Sequence, residues 1–222
     1  MNPSVIGLCR VLKHTFGTPV LLEEALTHRS AIGHSNERLE FLGDAILNFV
    51  IAERLFNDYP QASEGELSRL RATLVKGETL AEIARQIGLG DYLRLGPGEL
   101  KSGGNRRSSI LANALEAVFG AVYLDSDFVI CRHLILRLYE GCLANLPTAN
   151  ELKDPKTRLQ EYLQARGLAL PVYRILEISG EAHAQQFTVE CSAGTHHTVA
   201  VGDSRRKAEQ EAARQLLALI VI

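Results

Sequence analysis

The chain has 222 residues, 46% hydrophobic and 23% charged, enough for one large or two modest globular domains. With 24 basic against 26 acidic residues the net charge is -2, so a bulk basic field is excluded and any nucleic-acid site is a local patch. No apolar run approaches the roughly 20 residues of a membrane span, and the N-terminus lacks the charged start, apolar stretch and cleavage site of a secretion signal.

Those absences set the expectation of a cytoplasmic protein with no membrane partner and no small-molecule cofactor. Cys9, Cys131, Cys142 and Cys191 form no CxxC pair and have no His at zinc spacing. Their apolar or small neighbours predict buried free thiols.

Helical periodicity runs from Leu8 to about Leu146, with apolar residues three and four apart, as at Leu47, Val50, Ile51 and Leu55. Within it, Glu37, Glu40 and Asp44 fall inside about 60° of one another on a helix. Leu39, Leu42, Ile46 and Phe49 occupy much of the remaining circumference, so the polar stripe is narrow. Glu64 follows Ser63, and Ser63-x-x-Glu66 is a capping box. Breaks fall at Tyr59-Pro60, at Gly88–Gly90 and across Gly96–Gly104. The loop Gly103–Arg107 then precedes a helix start at Ser108 or Ser109 and could cradle a phosphate. Ile110, Leu111, Ala114, Leu115, Val118, Phe119 and Val122 form an arc wide enough for a helix in the middle of a bundle. Glu116 lies on it, three residues after Asn113, and a carboxylate on so apolar a helix needs a partner or a cation.

The texture changes near residue 150. Pro147–Asn150 has linker composition, and Asp154-Pro155 is an N-cap followed by proline at the first helical position. After a helix over about 155–166 the period switches to two. Strands are expected around 172–177, 187–191 and 195–201, with Ser192-Ala193-Gly194 as a hairpin turn. A last helix starts near Ser204. The fold class is α+β: an all-helical domain over 1–147, a linker at 148–153 and an α-β-β-β-α domain over 154–222.

If Glu40, Asp44 and Glu116 converge, each pair repels by about 4 kcal/mol at 4 Å and an effective dielectric of 20. Such a site stays ionised only around a cation. Oxygen ligands without His or Cys select a hard ion, Mg²⁺ or in its place Mn²⁺, and the matching chemistry is attack of water on a phosphodiester.

The segment Asn36-Glu-Arg-Leu-Glu-Phe-Leu-Gly-Asp44 resembles the signature of the ribonuclease III family. Further similar blocks are Thr27–Ser30, Glu64–Arg71, Lys101–Gly104 and Ile110–Glu116. The resemblance covers nearly the whole chain. It implies a homodimeric endoribonuclease acting on double-stranded RNA, each site cutting one strand to leave 5′-phosphate and 3′-hydroxyl ends with a two-nucleotide overhang. Processing of ribosomal and other structured precursors is the matching task. By the same resemblance Glu40, Asp44 and Glu116 are metal ligands and Asn113 holds the fourth ligand position. Glu37 and Glu64 match acids of the cleavage centre, and Phe41 matches a residue packed across the dimer axis. Asn113 departs from the family, which commonly has Asp there; the amide keeps a carbonyl oxygen but drops one charge.

The last 70 residues resemble a double-stranded RNA-binding domain. Thr157, Gln160 and Glu161 share one helix face suited to a minor groove. The loop Gly180–His183 matches one that enters a second minor groove. Arg205, Arg206 and Lys207 open the final helix, where cations and helix dipole meet phosphates. Two readings from other classes compete with the nuclease. One is a catalytically inactive double-stranded RNA-binding protein on the same fold, supported only by Asn113. The other is a metal-dependent phosphohydrolase, whose common helical type needs an adjacent His-Asp pair that this chain lacks.

Overall fold

A computed structural model describes residues 3–146, 153–181 and 184–220. The chain divides into two compact units, Met1–Leu146 and Pro147–Ile222. Most of the expected linker, and His183 of the expected groove-entering loop, lie outside the described residues. Among the described residues no helix is long and apolar enough to cross a membrane.

The first unit is helical. Its elements are α1 (Pro3–Leu12), α2 (Pro19–Ala25), α3 (Glu37–Asp58), α4 (Glu64–Val75), α5 (Gly77–Gln86), α6 (Pro97–Lys101), α7 (Ser108–Asp125), α8 (Phe128–Leu138) and α9 (Glu140–Ala144). Short 3₁₀ turns at Leu89–Tyr92 and Gly104–Arg106 lie between α5 and α7. Helix α7 is the axis of the unit. From Ile110 to Val122 it presents apolar or small side chains on every side except at Asn113 and Glu116, and α2, α3, α5 and α8 surround it. A helix apolar all round is stable only when buried, and α7 is.

The approach of α3 to α7 depends on two glycines. A Cβ built at Gly43 would collide with the Glu116 carbonyl, and one at Gly120 would collide with the Leu39 carbonyl. Gly43 therefore lets the backbones touch at the turn that carries Glu40 and Asp44. Gly43→Ala is expected to force the helices apart, costing about 1–3 kcal/mol. Thermal unfolding checks this, and a parental Tm would show that the crossing has slack.

Local chemistry sets the helix boundaries. Ser63 accepts from the Glu66 backbone N–H, and the Glu66 carboxylate accepts from the Ser63 N–H, which closes the capping box that starts α4. Asn36 precedes α3 without capping it through its side chain; its amide donates instead to the Ala25 carbonyl at 3.3 Å. That bond anchors the segment before α3 to the end of α2.

In the second unit α10 (Pro155–Gln164) and α11 (Arg205–Ile220) pack on one face of an antiparallel sheet of order β1 (Val172–Ser179), β2 (Gln186–Ala193) and β3 (His196–Gly202). Asp154 caps α10 by accepting from the Thr157 N–H at 3.1 Å, with Pro155 in the first turn. Alternate residues of β2 turn inward, so Val189, Cys191 and Ala193 are buried, while α11 contributes Ala212, Ala213, Leu216 and Leu217.

The structure corrects the expected hairpin. Ser192 and Ala193 continue β2, pairing with His197 and His196, and the turn is Gly194-Thr195. Gly194 has φ 60°, the left-handed conformation that a two-residue hairpin demands and glycine supplies. The cysteine expectation is half right: all four are free, but only Cys131 and Cys191 are buried.

Candidate active site and RNA-binding surface

The crossing of α3 and α7 opens into a cleft of about 1090 Å³. Glu37, Glu40, Phe41 and Asp44 line it from α3, and Asn113 and Glu116 line it from α7. The sequence spacing thus becomes a real convergence: consecutive turns of one helix face one turn of another. The first turn of α3 carries Glu37 and Glu40, where the helix dipole favours negative charge.

Among the acids of the cleft, Glu116 is the one strongly perturbed. Its pKa rises to about 7, first because it is buried and then because the charges of Asp44 and Glu40 face it. Glu40 is also raised, chiefly by burial; the Asn113 amide opposes this by donating to it, Glu37 and Asp44 add to the rise, and Arg29 lowers it. Asp44 accepts from the Asn48 amide at 2.8 Å, and Glu37 accepts from Ser35 at 2.9 Å. Among the described residues no three His, Cys, Asp or Glu side chains are already drawn together at metal-ligand separation. Glu40 and Asp44 of α3 and Glu116 of α7 line one cleft and repel one another.

Glu64 is elsewhere. Its carboxylate accepts from Ser68 at 2.7 Å, and it lines a separate groove with Phe49, Phe56, Leu67 and Arg71. Within one chain the structure does not bring it to the other acids. Phe41, at 80% exposed, is no core residue, and Phe49 and Phe56 are 57% and 69% exposed.

The cleft also takes in Arg107, the end of the loop expected to cradle a phosphate, and two residues given no role from the sequence, Glu99 and His28. Arg107 pairs with Glu99 at 2.6 Å, and both line the cleft. His28 also lines the cleft, its Nδ1 bonded to Ser30 Oγ at 2.8 Å.

In the second unit the Thr157 hydroxyl donates to Asp154 at 2.7 Å, Gln160 is exposed, and Glu161 pairs with Lys153 at 2.7 Å. At the start of α11, Arg205 pairs with Glu209 at 2.8 Å and Lys207 with Asp203 at 2.6 Å. Arg206 is exposed and has no ion pair among the described residues.

A helical unit with a cleft lined by carboxylates thus precedes an α-β-β-β-α unit with a cationic helix start, a combination that suits cleavage of structured RNA. Comparison with known proteins narrows this. Residues 18–141 match the ribonuclease-III-like family and residues 155–220 the double-stranded RNA binding motif. Ribonuclease 3 of Nitrosococcus oceani is 60% identical over 100% of this chain and 97% of that one. Ribonuclease 3 of Vibrio cholerae is 56% identical over 98% and 97%. The nuclease domain of Campylobacter jejuni ribonuclease III superposes with a TM-score of 0.62 at 40% identity, covering 66% of this chain and 100% of that one. A second structure of that domain, concerned with flexibility in its region of dimer formation, gives a TM-score of 0.60 at 43% identity over 61% and 95%. The chain belongs to the ribonuclease III family of metal-dependent nucleases and is an endoribonuclease of double-stranded RNA.

Proposed function

We propose that Glu40, Asp44 and Glu116, with the Asn113 carbonyl oxygen as fourth donor, hold Mg²⁺, or Mn²⁺ in its place, at the cleavage centre. The observation that carries this reading is Glu116, a half-buried carboxyl facing two others. The donor set is oxygen only, which fits a hard divalent ion. When bound, the ion supplies Lewis-acid stabilisation to a phosphodiester undergoing attack by water. The chain's own residues orient the substrate. Glu37 and the exposed Arg29, 3.7 Å apart, meet the approaching strand, and Arg107, paired with Glu99, lines the same cleft.

The chain works as a homodimer in this proposal, with Phe41 packed across the dimer axis, and a second copy brings its Glu64 to the cleavage centre. Three exposed phenylalanines support it, because large apolar side chains are rarely left in water together. Thr157, Gln160 and Glu161 meet a minor groove while Arg205, Arg206 and Lys207 meet phosphates, and the targets are precursors of ribosomal and other structured RNAs. Incubation with a long perfect duplex, with and without Mg²⁺, tests the whole reading. Metal-dependent paired cuts are expected, with 5′-phosphate, 3′-hydroxyl and two-nucleotide 3′ overhangs. Duplex binding without cutting would favour an inactive binding protein.

Asn113 gives a narrower test. Asn113→Asp adds a carboxylate beside Glu40 and Glu116, so the Mg²⁺ concentration for half-maximal cleavage should fall several-fold, roughly as one added ligand charge predicts. The rate at saturating metal should change less. A metal titration of both proteins on one duplex checks this, and an unaltered requirement would place Asn113 outside the ligand set.

A further inference from the structure

The starts of α10 and α11, the two helices that face RNA in the proposed reading, are tied together by side chains. The Lys156 N–H donates to the Gln210 side-chain oxygen at 3.1 Å, and the Gln210 amide donates to Asp154 at 2.8 Å. Glu209 stands at the centre. One carboxylate oxygen accepts from Lys156 Nζ at 2.7 Å and the other from Arg205 Nε at 2.8 Å. Glu209 is only 8% exposed, so its two cations replace water, and together they hold its pKa down against the burial that would raise it. The Lys156 ammonium also lies 4.3 Å above the Tyr173 ring, which fixes it to β1.

The geometry at Arg205 distinguishes this from an ordinary surface pair. Glu209 occupies Nε, leaving the terminal guanidinium nitrogens of a side chain 62% exposed. Those nitrogens form the fork that grips a phosphate. The Lys207–Asp203 pair, by contrast, is 70% and 66% exposed and holds nothing in place.

We propose that Glu209 is a positioning residue for duplex recognition, clamping Arg205 on α11 and Lys156 on α10 so that the guanidinium fork and the α10 face keep one fixed separation. The proposal rests on the reading that Arg205 meets phosphate. A carboxylate is required because it accepts twice. In Glu209→Gln one oxygen remains, and the amide nitrogen, a donor, faces a second donor. One cation is then released, and the order that favours binding is lost.

The test uses the full-length chain and a duplex RNA in EDTA, where no strand is cut. Glu209→Gln should weaken binding about tenfold at physiological salt and reduce the slope of log affinity against log salt by about one. Glu209→Asp keeps the charge but is too short to reach both cations, and should weaken binding about threefold. In an Arg205→Met background, Glu209→Gln should add less than about a twofold loss, because the clamp has nothing left to aim. Unchanged affinity, or tighter binding with a steeper salt slope, would overturn the proposal by showing that Glu209 only masks two cations. Additive losses in the Arg205→Met background would overturn it as well. If Glu209→Gln unfolds the second unit, Glu209→Asp decides, and parental affinity there sinks the idea. An Arg205→Met protein with a parental salt slope would sink the phosphate reading of Arg205 and the clamp with it; a reduced slope there with no effect at Glu209 sinks the clamp alone.

Discussion

Glu116→Gln is expected to cleave double-stranded RNA about 10³-fold more slowly than the parent, or worse, while binding an uncut duplex equally well. The substitution keeps the shape of the side chain in a cleft walled by α3 and α7, so packing survives. In the proposed reading it removes one of the three carboxylates that attract a hard cation. The binding surface of the second unit is untouched. Cleavage on a defined duplex and binding in EDTA check the two halves, and parallel loss of both would count against a ligand role for Glu116.

The same variant has a second consequence, which needs no activity. The Glu116 pKa is raised to about 7, so its protonated form is favoured by the fold. That stability is fully present below the ordinary carboxylate range and is lost as pH rises through about 7. In metal-free protein at pH above this value, three ionised carboxylates repel across the cleft. Glu116→Gln removes the penalty and should melt a few degrees above the parent in EDTA at high pH, from about 1–2 kcal/mol after discounting for solvent screening. At about pH 4, below the ordinary glutamate value, the two proteins should melt nearly together. Adding Mg²⁺ at high pH should raise the parent's Tm and leave the variant's nearly still. Equal melting of both proteins at every pH would show that Glu116 bears no repulsion.

Much of this arrangement was legible because it is local. The i, i+3 and i+7 spacing of Glu37, Glu40 and Asp44 fixes a shared face once a helix is granted, and Ser63/Glu66 and Asp154/Pro155 announce where helices begin. The switch from period 3.6 to period 2 separates the two units. What the sequence concealed depends on pairs distant along the chain. Gly43 and Gly120 look like weak points in two helices until their backbones meet. Arg107 looks like a loop cation until Glu99 holds it to the wall of the cleft. Glu64 follows the three acids of α3 in sequence yet lies in a different groove, because α4 packs beside the far end of α3. Glu209 follows the Arg205–Lys207 run that the sequence assigns to phosphates, and nothing in its immediate neighbours marks it as buried. Only the approach of Lys156, 53 residues earlier, shows that its charge is buried.

A chain ending at Leu146 should lose roughly 10²-fold in duplex affinity at physiological salt and still cut in a metal-dependent way at low salt. The first unit has its own core around α7 and holds every cleft residue named above, so the chemistry does not require the second. Its charge balance is unfavourable for binding a polyanion: residues 1–146 carry 15 basic and 17 acidic groups. The cations that meet phosphate in the proposed reading, Arg205, Arg206 and Lys207, leave with the second unit. Affinity is therefore expected to fall steeply with salt in the full chain and gently in the truncated one, since the slope counts neutralised phosphates. Binding isotherms at several salt concentrations, beside cleavage at the lowest, decide the matter. Parental affinity in the truncated chain would move the duplex-binding surface onto the helical unit. A folded fragment that fails to cut at low salt would show that the second unit takes part in the chemistry.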